Sequence, residues 1–135
     1  MPAPIEVSGL TPLIQVFDMP TSIAFYCGAL GGEIVAQSQP GPRFGWALLR
    51  LGAAELMLNT AYEDDARPPA PDPARRAAHA DTGLYLGCRD LDALHAHLRT
   101  RGLAVPAPIV RPYGMRQLSV EDPDGYVLVF QHPAG

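Results

Sequence analysis

The sequence has no cluster of basic residues and no apolar run long enough to cross a membrane. It carries 10 Lys and Arg against 14 Asp and Glu, for a net charge of −4. A nucleic-acid partner is therefore not expected, and neither is a membrane span, which needs about 20 mostly apolar residues in a row. The N-terminal segment MPAPIEVSGL also lacks the basic-then-apolar order of a secretory signal. From these absences we expect a soluble, cytoplasmic protein without nucleic-acid or membrane partners.

Cysteine is scarce, and the common catalytic signatures are missing. Cys27 and Cys88 are far apart in sequence and lie in apolar patterns, which favours buried free thiols over a disulfide. No Gly-x-Ser-x-Gly motif between a strand and a helix, no phosphate loop and no dinucleotide-binding glycine fingerprint appears. With 135 residues, the chain has the length of one domain with a substantial core.

The stretch YGMRQLSVEDPDGYVLVFQ, at 113–131, has the pattern of two strands joined by a tight turn. Its Asp-Pro-Asp-Gly segment, at 122–125, has the residues that a type I turn prefers at its first, second and fourth positions. Apolar residues flank the turn on both sides. The stretch therefore predicts a β-hairpin.

Residues 8–60 have the pattern of a βαβββ module. A Leu-, Ile- and Val-rich strand is predicted at 10–17, and Asp18 follows it. An apolar stripe predicts a helix over about 21–30, which the two following glycines end. Three further strands are predicted at 33–38, 43–51 and 55–59.

Residues 61–82 are rich in proline and charge and have little apolar periodicity. Only a short helical turn, at 74–78, is expected there. A segment of this kind predicts a long loop, and loops of this length in compact domains are usually functional or mobile.

Residues 83–133 repeat the first pattern. A strand is predicted at 84–88, and Asp90 is a good N-cap for a helix with an apolar stripe that ends at Gly102. Short extended pieces at 103–105 and 109–110 precede the hairpin.

The two patterns can be superposed in sequence. Asp18 and Asp90 lie 72 residues apart, as Leu13 and Tyr85 do, and Phe44-Gly45 resembles Tyr113-Gly114 at an offset of 69. We interpret the chain as a single domain, 1–135, built from two copies of one module.

Four stretches carry a family resemblance: IQVFDMPTSIAFYCGALGG (14–32), ALLRLGAAELMLN (47–59), CRDLDALHAHLRTRG (88–102) and EDPDGYVLVFQ (121–131). They resemble the vicinal oxygen chelate superfamily, which includes glyoxalase I, extradiol dioxygenases, methylmalonyl-CoA epimerase, fosfomycin-resistance enzymes and bleomycin-resistance proteins. The resemblance implies an α+β fold, in which two βαβββ modules with curled mixed sheets form a ligand cup. It also implies a homodimer, because many members complete their cavities with a second subunit.

In metal-using members of this superfamily, four strands each supply one metal ligand, typically His or Glu. The resemblance puts those positions at Thr11, Met57, Gly83 and Val129, whose side chains cannot form a divalent metal site. A glyoxalase-like Glu-Leu-x-x-Asn alignment would instead put Glu55 at a ligand position, but as one carboxylate alone. We therefore expect no metal and no other cofactor. The histidines at 79, 95, 97 and 132 are interpreted as solvated surface residues.

Strand alternation indicates which side chains line the cup. They are aromatic and sulfur-containing apolar residues interspersed with amides and one carboxylate, a mixture typical of small-molecule sites. That the apolar members are simply core remains the alternative. The predicted ligand-binding residues are Leu13, Gln15, Trp46, Leu48, Glu55, Met57, Asn59, Tyr85, Tyr113, Met115, Gln117, Val129 and Gln131.

Three hypotheses of function follow. The first is a metal-free protein of the bleomycin-resistance type that sequesters an aromatic or cationic small molecule, with acidic groups at Glu55 and at 63–65 favouring the cation. The second is a glyoxalase-like lyase or isomerase with a non-standard or absent metal site, in which Glu55 and Tyr85 are the candidate acid–base residues. The third is a regulatory or scaffold role for the dimer. Whether the modules pair within one chain or across a dimer stays open, as does the ligand.

Overall fold

The structure, a computed structural model, describes residues 4–63 and 65–135. The first module contains β1 (Leu13–Val16), helix α1 (Met19–Ile23) with a π-helical turn (Ala24–Ala29), and strands β2 (Glu33–Gln37), β3 (Trp46–Leu51) and β4 (Ala54–Thr60). Helix α2 (Pro73–Ala78) and a 3₁₀ turn (His79–Asp81) lie between the modules. The second module contains β5 (Gly83–Gly87), α3 (Leu91–Thr100), β6 (Ile109–Val110), β7 (Met115–Glu121) and β8 (Val127–Pro133).

The predicted α+β fold with two βαβββ modules is confirmed. Each module folds into a four-stranded mixed sheet, with the strand orders β1-β4-β3-β2 and β5-β8-β7-β6. In each sheet the first strand pairs in parallel with the last, and the other strands pair antiparallel. The crossover helix of each module connects its first strand to the strand at the far edge of the sheet.

The register of the sheets confirms the repeat. Leu13 pairs with Met57, and Tyr85 pairs with Val129, so both partners are displaced by 72 residues (85 − 13 and 129 − 57). The middle strands β3 and β7 follow a different offset. Trp46 in β3 and Gln117 in β7 occupy equivalent places, 71 residues apart, because they face residues 59 and 131. The offset of 69 expected for this hairpin is therefore wrong by two residues.

The first helix begins two residues earlier than predicted. Asp18 is its N-cap and accepts hydrogen bonds from both the backbone N–H and the hydroxyl of Thr21. These bonds, with the Thr21 hydroxyl foremost, lower the pKa of Asp18. Pro20 lies in the first turn, where its missing N–H costs nothing. The α-helical pattern then widens into the π-helical turn, which the sequence pattern did not indicate.

Helix α3, in the second module, agrees with its prediction. The side chain of Asp90 caps the N–H of Ala93, and Gly102 follows the helix with φ of +79°. The extended piece expected at 103–105 is not a strand. Proline at 106 and 108 removes the N–H groups that a ladder would need there, and the edge strand β6 is only two residues long.

One apolar core fills the space between the two modules. Each sheet has a back face, which packs against the helices and into this core. The back-face residues of the first sheet are Ile14, Val16, Ala47, Leu49, Leu56 and Leu58, and those of the second are Leu118, Val120, Leu128 and Phe130. The opposite faces of the sheets lie outside this core. Two of their side chains, Val129 and Gln117, are nevertheless buried from solvent.

The hairpin turn of the second module contacts the helix of the first. The buried carboxylate of Asp122 accepts a 2.7 Å hydrogen bond from Tyr26, and Asp124 accepts a 2.8 Å bond from the backbone N–H of Phe17. The hydroxyl of Ser22 also donates to Asp124. The turn at 122–125 is therefore a joint between modules as well as a reversal of the chain.

The segment at 65–82 packs against this joint. Arg67 forms a 2.6 Å ion pair with Asp18, and the ring of His79 stacks on Tyr126 with 4.0 Å between the centroids. Helix α2, capped by the side chain of Asp72, lies within this segment. The short helical turn expected at 74–78 is therefore present, and the 3₁₀ turn that follows it was not expected.

The sequence suggested that all four histidines are solvated surface residues, but three of them contact backbone carbonyls. A ring nitrogen of His79 contacts the carbonyl of Asp124, His95 contacts the carbonyl of Val105, and His97 contacts that of Ala29. The last of these contacts joins α3 to the end of the first helix. These histidines connect pieces of the fold.

The two cysteines are free and partly buried. Burial raises the pKa of both thiols, so they remain protonated near neutral pH. In the part of the chain that the structure describes, no helix has both the length and the apolar character needed to span a membrane.

Candidate functional site

The face of the first sheet that points away from the core carries seven of the predicted ligand-binding residues. We call it the first half-cup. The register supports the alternation argument, because Leu13 and Leu48 both pair with Met57, and Gln15 and Trp46 both pair with Asn59. The first half-cup consists of Leu13, Gln15, Trp46, Leu48, Glu55, Met57 and Asn59.

The polar groups of the first half-cup already have partners. The side-chain amide of Asn59 donates to Gln15 at 3.2 Å. The carboxylate of Glu55 lies 3.6 Å from the guanidinium of Arg50, which also approaches Glu33 at 3.8 Å. Arg50 pairs with Glu55 in the register of β3 and β4, so both side chains project from the same face. The acidic residue expected to attract a cation is therefore engaged by an arginine that it shares with Glu33.

The corresponding face of the second sheet, which we call the second half-cup, carries the other six predicted residues. Tyr85 pairs with Val129 and Gln117 with Gln131, which places all four on one face. Residues 113 and 115, whose orientation was the least certain, share this face, because Met115 is two residues from Gln117 and the hydroxyl of Tyr113 reaches that side chain. The predicted members are Tyr85, Tyr113, Met115, Gln117, Val129 and Gln131.

Sequence reasoning missed three residues of the second half-cup. Ile109 pairs with Gln117, and Ser119 pairs with Val129, so both face the same way as their partners. The guanidinium Nε of Arg111 donates a 3.2 Å hydrogen bond to the side chain of Gln117. Counting alternate residues back from Gln117 across the turn would have required the turn length, which is not evident from sequence. Arg111 is the most consequential omission.

A hydrogen-bonded row crosses the second half-cup. The carbonyl oxygen of Gln117 accepts from Arg111 at 3.2 Å and from the hydroxyl of Tyr113 at 3.3 Å. Its amide nitrogen donates to the carbonyl oxygen of Gln131 at 2.9 Å. Gln117 is only 4% exposed, so these partners satisfy a polar side chain that water does not reach.

Several members of the two half-cups are open to solvent in the single chain. Tyr85 is 61% exposed, Tyr113 is 66% exposed and Leu13 is 44% exposed. These three side chains are therefore not core in the single chain, whereas Val129 is buried. The other apolar members of the half-cups, Trp46, Leu48, Met57 and Met115, are half-buried. Among the described residues, no hydrogen bond joins a side chain of one half-cup to a side chain of the other.

A cavity of about 560 Å³ is lined by residues of both modules. The segment at 9–12, the β3–β4 hairpin and strand β5 line it. Of the predicted ligand-binding residues, only Glu55 and Tyr85 line this cavity. Thr11 and Gly83 also line it, so two of the four positions that hold metal ligands in relatives lie here.

The residues at those four positions do not fit a divalent metal ion. Met57 and Val129 occupy matching places in β4 and β8, and neither is an oxygen or nitrogen donor. Thr11 and Gly83 add at most one hydroxyl. Over residues 4–63 and 65–135, no group of three His, Cys, Asp or Glu side chains is arranged to hold a metal.

The chain matches the family model of the Glyoxalase/Bleomycin resistance protein/Dioxygenase superfamily over residues 10–130. It therefore belongs to this superfamily, which confirms the resemblance seen in the sequence. No curated protein matches it.

The chain is similar to solved structures over nearly the whole length of both proteins. TnmS3, an antibiotic binding protein from Streptomyces sp. CB03234, is 28% identical with a TM-score of 0.68, and the match covers 96% of this chain and 98% of that one. A glyoxalase/bleomycin resistance protein from the same Streptomyces strain is 28% identical with a TM-score of 0.62, covering 90% and 97%. A bleomycin-binding protein complexed with bleomycin is 22% identical with a TM-score of 0.68, covering 93% and 98%, a likeness of fold alone.

Proposed function

We propose that this protein binds and sequesters a small aromatic compound in its cup, without a metal and without altering the compound. The observation that carries the proposal is the make-up of the half-cups. Their walls are apolar and aromatic, a few amides are held in fixed orientations by hydrogen bonds, and the metal positions offer no suitable donors. Such mixed walls are typical of small-molecule sites.

The relatives support the same class of function. TnmS3 is an antibiotic binding protein, and its match with this chain extends over almost the whole of both. At 28% identity, the fold and module arrangement carry over more safely than the particular ligand. We therefore propose for this chain a drug-binding role, in which tight binding alone keeps the drug from its target.

We further propose that the functional unit is a homodimer, in which the first half-cup of one chain faces the second half-cup of its partner. Large apolar side chains exposed in the single chain support this arrangement, since such patches mark interaction sites. Besides the cup tyrosines, they include Ile5 and Leu10, each 90% exposed, in the segment preceding β1. A cup closed in this way would bury these side chains and enclose the ligand on two sides.

Thermal unfolding with a panel of planar aromatic and glycopeptide antibiotics tests the binding function. At a ligand concentration of 100 Kd, linkage adds about 2.7 kcal/mol to the stability of the folded state, which raises the melting temperature by several degrees. A panel without any shift would count against the proposal. Sedimentation velocity on the unliganded protein tests the dimer, which should have twice the chain mass of 14.5 kDa.

A glyoxalase-like lyase is the second candidate. One observation favours it, because Glu55 and Tyr85, the two candidate acid–base residues, line the same cavity. The ion pair of Glu55 with Arg50 weighs against it, since this carboxylate is already engaged by a guanidinium. Metal analysis of protein purified without chelator distinguishes the two, because stoichiometric zinc, nickel or manganese would favour the enzyme.

A further inference from the structure

The polar groups that the second half-cup leaves free are hydrogen-bond donors, because Arg111 fixes the orientation of the amides beside it. Arginine has no acceptor atoms, so the oxygen of the Gln117 amide must face the Nε of Arg111. The amide nitrogen of Gln117 is thereby turned toward Gln131, whose carbonyl oxygen accepts from it at 2.9 Å. The free end of the Gln131 amide is consequently its nitrogen, which is also a donor.

We infer that the ligand of this protein is an aromatic compound bearing an anionic oxygen, a carboxylate or a phenolate, and that Arg111 binds this oxygen. The inference rests on the proposed function and deepens it, by naming the chemical class that the cup selects. Arg111 uses its Nε within the fold, and its two terminal nitrogens remain for a ligand. A guanidinium matches the two oxygens of a carboxylate, with two parallel hydrogen bonds.

The surroundings of Arg111 leave its charge uncompensated. Among the described residues, no carboxylate lies within ion-pair distance of its guanidinium, which is also true of five other arginines, whereas Arg50, Arg67, Arg76 and Arg116 are ion-paired. What distinguishes Arg111 is the hydrogen bond to Gln117 that holds it on the face of the second half-cup. Gln117, which accepts its hydrogen bond, is neutral. An anionic group on the ligand would therefore provide the first charged partner for this arginine.

The carboxylate of the first half-cup is already engaged within the protein. This carboxylate, on Glu55, faces Arg50 at 3.6 Å. Glu63 and Asp65 are exposed on the loop, and Asp64, the third acidic residue of that group, lies outside the described residues. The net charge of −4 acts over the whole surface and is screened beyond about 8 Å at physiological salt. The local arrangement at Arg111 therefore decides the preference.

The aromatic part of the inference comes from the exposed tyrosines of the second half-cup, of which Tyr113 is near Arg111 and Tyr85 lies at the other edge of the sheet, in β5. Tyr113 follows Arg111 by two residues, donates to the same oxygen of Gln117 and is 66% exposed. Tyr85, 61% exposed, belongs to the same face. A planar ring lying against such side chains gains stacking energy, and its anionic substituent can reach the arginine at the rim.

Three fluorescent probes with one ring system and different charges test the inference: 1-pyrenecarboxylate, 1-pyrenecarboxamide and 1-pyrenemethylammonium. Their dissociation constants are measured by fluorescence anisotropy with the full-length protein at neutral pH. We expect the carboxylate to bind about tenfold more tightly than the amide, the effect of a charge-assisted hydrogen bond at a partly exposed site, and the ammonium to bind more weakly than the amide.

Variants assign the preference to Arg111. Arg111→Met should reduce the affinity for the carboxylate to that for the amide, while leaving the amide within about twofold. Arg116→Met is the matched control, because Arg116 lies on the opposite face of the same hairpin and pairs with Asp92; it should leave all three affinities unchanged. If Arg111→Met does not fold, Gln131→Met, which removes the second donor, should weaken the carboxylate selectively.

The outcomes separate this inference from the proposed function. Equal binding of the three probes, or tighter binding of the ammonium, would overturn the anionic preference and leave the binding function standing. An equal loss for all three probes in Arg111→Met would also overturn it, by making Arg111 part of the wall or the dimer interface. Failure of every probe to bind would count against both the inference and the aromatic cup.

Discussion

The hydroxyl of Tyr26 donates a 2.7 Å hydrogen bond to the carboxylate of Asp122, and this buried contact joins the first module to the second. Burial and the negative charge of Asp122 raise the pKa of Tyr26 far above its ordinary value, so the phenol keeps its proton and always donates. The other oxygen of Asp122 accepts from the backbone N–H groups of residues 124 and 126. One carboxylate thus shapes the turn and holds the modules together.

Removing the phenol should destabilise the whole domain. Tyr26→Phe leaves a buried carboxylate oxygen without its donor, which costs about 1–3 kcal/mol. Urea unfolding followed by circular dichroism measures the loss. Tyr62→Phe is the matched control, because Tyr62 is half-buried with its ring against Phe17, and its hydroxyl makes no hydrogen bond with another described residue. Equal losses in the two variants would show that the Tyr26–Asp122 bond contributes little.

The stability of the protein should depend on the ionisation of Asp122. Burial raises its pKa above the ordinary value of 3.8, although hydrogen bonds from Tyr26, Tyr126 and Asp124 oppose the shift. The folded state then holds this proton more tightly than the unfolded state does. The resulting stabilisation is complete below 3.8 and is lost as the pH rises through the raised pKa.

Asp122→Asn isolates this effect, since the amide does not titrate. Between about pH 3 and about pH 8, the stability of the wild type minus that of the variant should fall as the pH rises above 3.8, and then level off. Denaturant unfolding at a series of pH values gives the two curves. A difference that rises over this range would mean that the hydrogen bonds outweigh burial and that the pKa is lowered.

Glycine is required at the end of the inter-module turn. Gly125 has φ of +89°, and a Cβ there would collide with the backbone carbonyl of Arg76. Gly125→Ala should therefore cost at least about 1–3 kcal/mol from the backbone conformation alone. Gly28→Ala is the control, because nothing lies near its Cβ position and its φ is negative; it should stabilise the protein by about 0.5–1 kcal/mol. Thermal unfolding compares them.

Tyr85 should contribute to binding and hardly to folding. Its ring is 61% exposed, so Tyr85→Ala should change the unfolding free energy by less than about 1 kcal/mol. The same change should weaken an aromatic ligand roughly threefold to tenfold, the value of one stacking contact. Val110→Ala, at a similarly exposed residue whose register partner is Arg116, should leave binding unchanged. Loss of folding in Tyr85→Ala would place the ring in the core.

Much of the fold could be predicted because short-range sequence signals mark the elements of each module. The capping aspartates at 18 and 90, the apolar alternation of the strands and the 122–125 turn are short-range signals. The boundaries were less predictable. Helix α1 begins at Met19 rather than at 21, since a proline in the first turn of a helix is tolerated there. Between equivalent residues, the β7–β8 hairpin is one residue longer than the β3–β4 hairpin, which shifts the offset of the middle strands from 72 to 71.

The face of each strand residue was predictable from alternation, and the contacts between residues were not. Twelve of the thirteen predicted cup residues project from the expected sheet faces, and Tyr113, in the turn before β7, bonds to one of them. Their role in binding stays a prediction. Arg111 escaped notice because its place depends on the turn that joins β6 to β7. The pairing of Glu55 with Arg50 escaped notice for a similar reason, because it arises only when β3 and β4 lie side by side.

The sequence by itself determined the family, the two βαβββ modules, and the poverty of metal donors at four strand positions, because each depends on residue identity and short-range periodicity. Tertiary structure alone decided which charges find partners. It brought Arg50 against Glu55, joined Tyr26 to Asp122 across 96 residues of sequence, and left Arg111 facing a neutral amide. Electrostatic interactions fall off with distance, so the charge character of a site follows only from the folded positions of its residues.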